Sequence, residues 1–147
     1  MTRLRATFRD AGANECPRAR STDRFSGVLK HLALPVSDQE RSRRFYESYL
    51  GFDARPARRY DDDVLMLYDA DGFALALGHA NEPIRLPEFL HFGIDLPDPE
   101  AVHAFRDRLV AEDVEISEEW DEPDYVSVKF LDPDGYVIEA AWEADLD

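Results

Sequence analysis

The chain has a single cysteine, Cys16, and therefore cannot close an internal disulfide. A reducing cytoplasm is the compartment expected of such a chain. No apolar run approaches the roughly 18 residues a membrane span needs, which excludes a transmembrane helix. The N-terminus carries arginines but no apolar h-region, so no secretory signal is expected. Lysine is scarce: Lys30 and Lys129 are the only two, beside fifteen arginines. Positive charge is also thin beyond residue 27, where eleven basic residues face twenty-nine acids. Such a surface repels phosphate, which excludes nucleic acid as the partner of the folded part. What remains is a globular composition, 44% hydrophobic and 12% aromatic over 147 residues. That is enough for one domain with a real core.

Residues 1–27 mix Arg, Ser, Ala and Gly without hydrophobic period and are expected to form a disordered arm. From Val28 to Val36 the chain reads as a strand ending in Ser37-Asp38, either of which can cap a helix running to about Leu50. Gly51 stops that helix. Strands are expected over 52–59, 64–68 and 73–77, the last two separated by Asp69-Ala70-Asp71-Gly72. The same grammar then restarts. A strand covers 89–96, and Pro97-Asp98-Pro99-Glu100 opens a helix to about Ala111 with Val102, Phe105, Leu109 and Val110 as its apolar side. Strands follow over 114–120, 125–131 and 136–142, with Asp132-Pro133-Asp134-Gly135 before the last.

Laying one half on the other places His31 on His91 and the Asp-Ala-Asp-Gly turn on Asp-Pro-Asp-Gly. Internal repetition of this kind specifies architecture. The predicted class is α+β, two tandem βαβββ modules over 28–80 and 88–143 within a domain of residues 28–147, joined by a proline-containing connector.

The motifs Leu29-Lys30-His31-Leu32-Ala33-Leu34-Pro35-Val36-Ser37-Asp38, Arg43-Arg44-Phe45-Tyr46 through Leu50-Gly51-Phe52, and Phe130-Leu131-Asp132-Pro133-Asp134-Gly135-Tyr136-Val137-Ile138-Glu139 resemble the vicinal oxygen chelate superfamily. That superfamily includes glyoxalase I, bleomycin-resistance proteins, fosfomycin-resistance enzymes and extradiol dioxygenases. The resemblance implies a curved mixed sheet around a metal-binding cavity. It also implies metal ligands on the first strand of each module and on the last strand, which are His31, His91 and Glu139 here. The fourth position falls on Ala76, which cannot bind metal, so four-ligand glyoxalase I chemistry is disfavoured. Two imidazoles and one carboxylate leave coordination sites open for a substrate with adjacent oxygens, and Fe, Mn, Ni and Zn all accept that set.

Strand alternation puts Tyr125, Ser127 and Lys129 on one face, lining the cavity near Glu139, and Val126, Val128 and Phe130 on the other. Met66 is a counterpart on module one. Lys129 could hold an anionic substrate oxygen, or merely offset neighbouring acids. His79 could act as an acid or base, as some extradiol dioxygenases use a histidine there, or be a plain loop residue. The expected protein is a metal-dependent dioxygenase, lyase or transferase acting on a small bidentate molecule, and a cytoplasmic homodimer. The alternative is a metal-free protein that sequesters a drug or metabolite, as bleomycin-resistance proteins do.

Overall fold

The structure is a computed structural model that describes residues 27–59 and 63–145. Cys16 and the expected arm up to residue 26 lie outside the described residues. Eight strands and two helices follow in the order β1 (His31–Val36), α1 (Gln39–Tyr49), β2 (Asp53–Arg59), β3 (Leu65–Tyr68), β4 (Ala74–His79), β5 (His91–Asp95), α2 (Pro99–Ala111), β6 (Ile116–Glu122), β7 (Tyr125–Leu131) and β8 (Val137–Glu143). These are two βαβββ modules, as the sequence predicts. Each forms a four-stranded mixed sheet with the same topology, β1-β4-β3-β2 and β5-β8-β7-β6. In each, the first strand lies at an edge and pairs parallel with the last.

Local chemistry explains the repeat. Asp38 and Asp98 cap the two helices by accepting the N–H of Arg41 (3.0 Å) and Ala101 (2.7 Å). Pro99 opens α2, where a missing N–H costs nothing. Asp69 and Asp132 each fold their turn onto one carboxylate oxygen. Asp69 Oδ1 accepts from Asp71 and Phe73, and Asp132 Oδ1 from Asp134 and Tyr136. Gly72 and Gly135 then supply the left-handed residue at φ 81° and 88°.

One core serves both modules. Leu34, Val36, Leu65, Leu67, Leu75 and Leu77 are buried beneath α1, and Val126, Val128, Phe130, Ile138 and Ala140 beneath α2. Phe45 and Tyr49 of α1 reach the Phe130 ring of module two at 6.2 and 6.5 Å, and Phe105 of α2 meets it at 5.4 Å. Truncating a ring as buried as Phe130 costs about 3–5 kcal/mol. Val102 and Leu109 are buried as expected, whereas Val110 is exposed. Val102, Phe105 and Leu109 complete the i, i+3, i+7 stripe, and the next position turns outward.

Polar contacts also tie the modules. Tyr46 Oη donates to Asp132 Oδ2 (2.8 Å), Tyr136 Oη to the Pro35 carbonyl (2.8 Å), and Arg41 pairs with Asp134 (3.1 Å). Burial, above all, raises the Tyr46 phenol well beyond its usual range and lifts the Asp132 carboxyl above its own. With helices and core residues on one side of each sheet, the other face of each is left open.

Candidate functional site

The two open faces have opposite chemistry. On the first sheet, cross-strand register places His31, Ala33 and Pro35 beside Ala74, Ala76 and Gly78, with Met66 and Tyr68 on β3. On the second, His91, Gly93 and Asp95 lie beside Val137, Glu139 and Ala141, followed by Leu131, Lys129 and Ser127. Tyr125 pairs with Glu143 at the far end. Edge strand β6 adds Glu118 opposite Lys129, Trp120 opposite Ser127 and Glu122 opposite Tyr125. Facing pairs share a side of the sheet, so these residues form one surface.

On that surface His91 Nε2 lies 3.3 Å from Glu139 Oε2. The other ring nitrogen, Nδ1, is 2.9 Å from the Phe89 carbonyl. A carbonyl only accepts, so Nδ1 carries the hydrogen, and Nε2 of the neutral ring is bare. A bare nitrogen facing a carboxylate oxygen needs a positive charge between them, either a second ring proton or a metal ion. The spacing suits an ion. Two ligand atoms each about 2.1 Å from one metal stand about 3.0 Å apart at a right angle and about 3.4 Å apart at the tetrahedral angle. Tyr125 Oη donates to the other oxygen of Glu139 at 2.7 Å, which fixes the carboxylate's rotation. Burial and that hydrogen bond raise the Tyr125 phenol, so it remains a donor at neutral pH.

Lys129 is held by Glu118, a contact that keeps the ammonium charged and lowers the Glu118 carboxyl. Glu118 also bonds the Trp120 side chain. Ser127, on the same face as Tyr125, is buried. The indole of Trp120 is 49% exposed.

The structure thus gathers His91, Glu139, Tyr125, Ser127 and Lys129 on one sheet. His31 and Met66 lie on the other sheet, and among the described residues no group of three His, Cys, Asp or Glu side chains could hold a metal. His79 ends β4 on the side opposite Ala76 and bonds Asp63 at 2.9 Å. His103, exposed on α2, pairs with Asp121 at 3.1 Å. Glu118 and Trp120 are additions that alternation misses. Between Ile116 and Glu118 the register with β7 shifts by one, a bulge at Ser117. Strict alternation from Ile116, which faces Phe130 and the core, would turn 118 and 120 toward α2; the bulge turns them to the open face.

Comparison with known proteins fits this arrangement. The profile of the Glyoxalase/Bleomycin resistance protein/Dioxygenase superfamily matches residues 28–140. The chain belongs to this superfamily. No curated protein matches it. Among solved structures it is similar to a possible glyoxalase from Bacillus cereus, at 26% identity and TM-score 0.65, over 77% of this chain and 96% of the other. It is similar also to TnmS3, an antibiotic binding protein from Streptomyces sp. CB03234, at 26% identity and TM-score 0.63, over 80% and 97%. The fosfomycin resistance protein FosX from Listeria monocytogenes shares the fold at 18% identity and TM-score 0.68, over 82% and 96%. A mutant of FosX was crystallised with Mn(II) and a dihydroxypropylphosphonic acid. Among the described residues no helix is long and apolar enough to cross a membrane.

Proposed function

We propose that this superfamily member binds one divalent metal through His91 and Glu139, completed by His31 of a second copy, and presents it to a small molecule with adjacent oxygens. The observation that carries the reading is the 3.3 Å approach of His91 Nε2 to Glu139 Oε2, with Nδ1 already committed to a carbonyl. A ligand set incomplete within one chain is what makes this reading call for a dimer. His31 stands on a half-exposed, largely apolar sheet face, and a partner's copy of that face would close over the polar one. A FosX mutant with the same fold was crystallised with Mn(II), the kind of ion this reading places at the site.

A metal here supplies Lewis-acid polarisation of a bound oxygen. The chain's own groups do the rest. Tyr125 holds Glu139 in one orientation. The Lys129 ammonium, kept charged by Glu118, offers donors to an anionic oxygen of the ligand, one strand away from Glu139. Trp120 provides a flat apolar platform beyond it. An enzyme acting as dioxygenase, lyase or transferase on such a ligand is the reading in view.

The second reading is a metal-free binding protein. The likeness to the antibiotic binding protein TnmS3 and the exposed Trp120 favour it. Elemental analysis of protein purified without chelator separates the two. Wild type should hold close to one divalent ion per chain, and His91→Ala, Glu139→Ala and His31→Ala should hold only background. Equal, negligible metal in all four after reloading with Mn2+ would leave the binding-protein reading.

A further inference from the structure

We propose that Glu118 is a positioning residue that ties the Lys129 ammonium and the Trp120 indole into one recognition unit for a flat, conjugated anion. The proposal rests on the reading of this open face as a small-molecule site and is independent of the metal.

The unit exists because of one extra residue. Ile116 faces Phe130 and Glu118 faces Lys129, so Ser117 is bulged out of the ladder between β6 and β7. Its hydroxyl reaches back to the Lys129 carbonyl at 3.4 Å, which fastens the bulge to the strand that carries the lysine. Beyond the bulge, contacts with α2 fix the alternation. Glu119 accepts from Arg106 at 2.7 Å and Asp121 lies 3.1 Å from His103, so residues 119 and 121 look toward the helix. Glu118 and Trp120 therefore take the open face. Bulges beside functional sites re-aim side chains in this way.

Glu118 is then shared. Its carboxylate accepts from the Lys129 ammonium and from the indole N–H of Trp120. The indole is half exposed, so packing alone does not fix its plane, and the bond to Glu118 supplies the restraint. The Lys129 side chain is only 18% exposed, which keeps its ammonium at the site with two further N–H donors. Trp120 faces Ser127, and Lys129 stands two residues along β7, about 6–7 Å away. One aromatic ring bearing a carboxylate spans that separation, its charge on the ammonium and its face on the indole. A neutral or non-planar molecule uses only half of the unit.

The test separates flatness from charge. Benzoate and cyclohexanecarboxylate carry the same charge, and only the first is planar. Each is titrated into metal-free protein in the presence of EDTA and followed by 15N–1H shifts. Wild type should prefer benzoate by about two- to tenfold, the range of an aromatic contact. Glu118→Gln keeps an oxygen acceptor for the indole and should keep most of that preference. In Glu118→Ala and Trp120→Leu the ratio should fall to about one. In Glu118→Ala both acids should still bind at least as tightly as to wild type, because Lys129 has lost its competing carboxylate. A wild type that binds neither acid, or prefers neither, overturns the proposal. So does a Glu118→Ala chain with the wild-type ratio, since Glu118 would then only neutralise Lys129. With metal excluded throughout, a chain that shows this pattern yet takes up no Mn2+ loses the metal reading and keeps the positioning.

Discussion

Equivalent rows of the two modules are Ala33–Ala76–Met66 and Gly93–Glu139–Lys129. The backbones and hydrogen-bond registers correspond, yet one row is inert and the other carries an acid beside a base. Duplication of a βαβββ unit has left one copy as an apolar wall and put the ionisable chemistry on the other. The glycine belongs to that division. A Cβ at Gly93 would lie 3.0 Å from the Glu139 carbonyl oxygen and 3.7 Å from its Cβ, so a side chain on the strand bearing His91 would crowd the strand bearing Glu139 and require it to give way. Ala33 shows that the equivalent position in module one needs no such closeness. The turns divide likewise: among the described residues Asp69 bonds only its own turn, while Asp132 also accepts the Tyr46 hydroxyl from the other module.

The contrast can be broken most forcefully at the core between the modules. Tyr46→Phe removes the donor to a buried carboxylate, and urea unfolding should show a loss of about 1–3 kcal/mol. An unchanged midpoint would mean that Asp132 is served by water instead. Next in size, Gly93→Ala should push β5 from β8 and weaken Mn2+ binding about tenfold, whereas Ala33→Gly should leave it unaltered. Equal effects from the two would erase the asymmetry argued from that row. The turns offer a smaller comparison. Asp132→Asn should destabilise more than Asp69→Asn, because only the former disturbs a contact between modules.

A pH dependence sharpens the same pair. The folded-state value of Asp132 is raised above its unfolded value near 3.8, chiefly by burial. The folded chain therefore takes up this proton before the unfolded chain does, and wild type gains stability as pH falls through the raised value toward 3.8. Asp132→Asn has no such proton to bind. The stability gap between wild type and variant should widen on acidification, measured by denaturant midpoints, and a gap that narrows would reverse the sign.

Much of this was legible in the residues. The repeat of His31 at His91 and of one aspartate turn at the other gave two βαβββ units, since cap and turn chemistry are local. The face carrying Tyr125, Ser127 and Lys129 followed from strict alternation along β7, which has no bulge. What lay out of reach depends on non-local geometry. The Ser117 bulge that brings Glu118 and Trp120 to the site arises from pairing with β7, not from any residue type. The contact of His91 Nδ1 with the Phe89 carbonyl has no signature either, since it depends on backbone torsions that residue type does not fix. The placement of His31 on one sheet and of His91 and Glu139 on the other is likewise a matter of strand pairing across the chain.

The claim on which the account turns is that the metal centre is shared between copies. Mixing His31→Ala chains with Glu139→Ala chains, after subunit exchange, tests it by metal content. In a mixed dimer the Glu139→Ala chain still offers His31 and the His31→Ala chain still offers His91 and Glu139, so one centre is rebuilt. The mixture should regain Mn2+ binding that neither parent shows. A mixture that stays as empty as its parents, while exchange is verified, would contradict it.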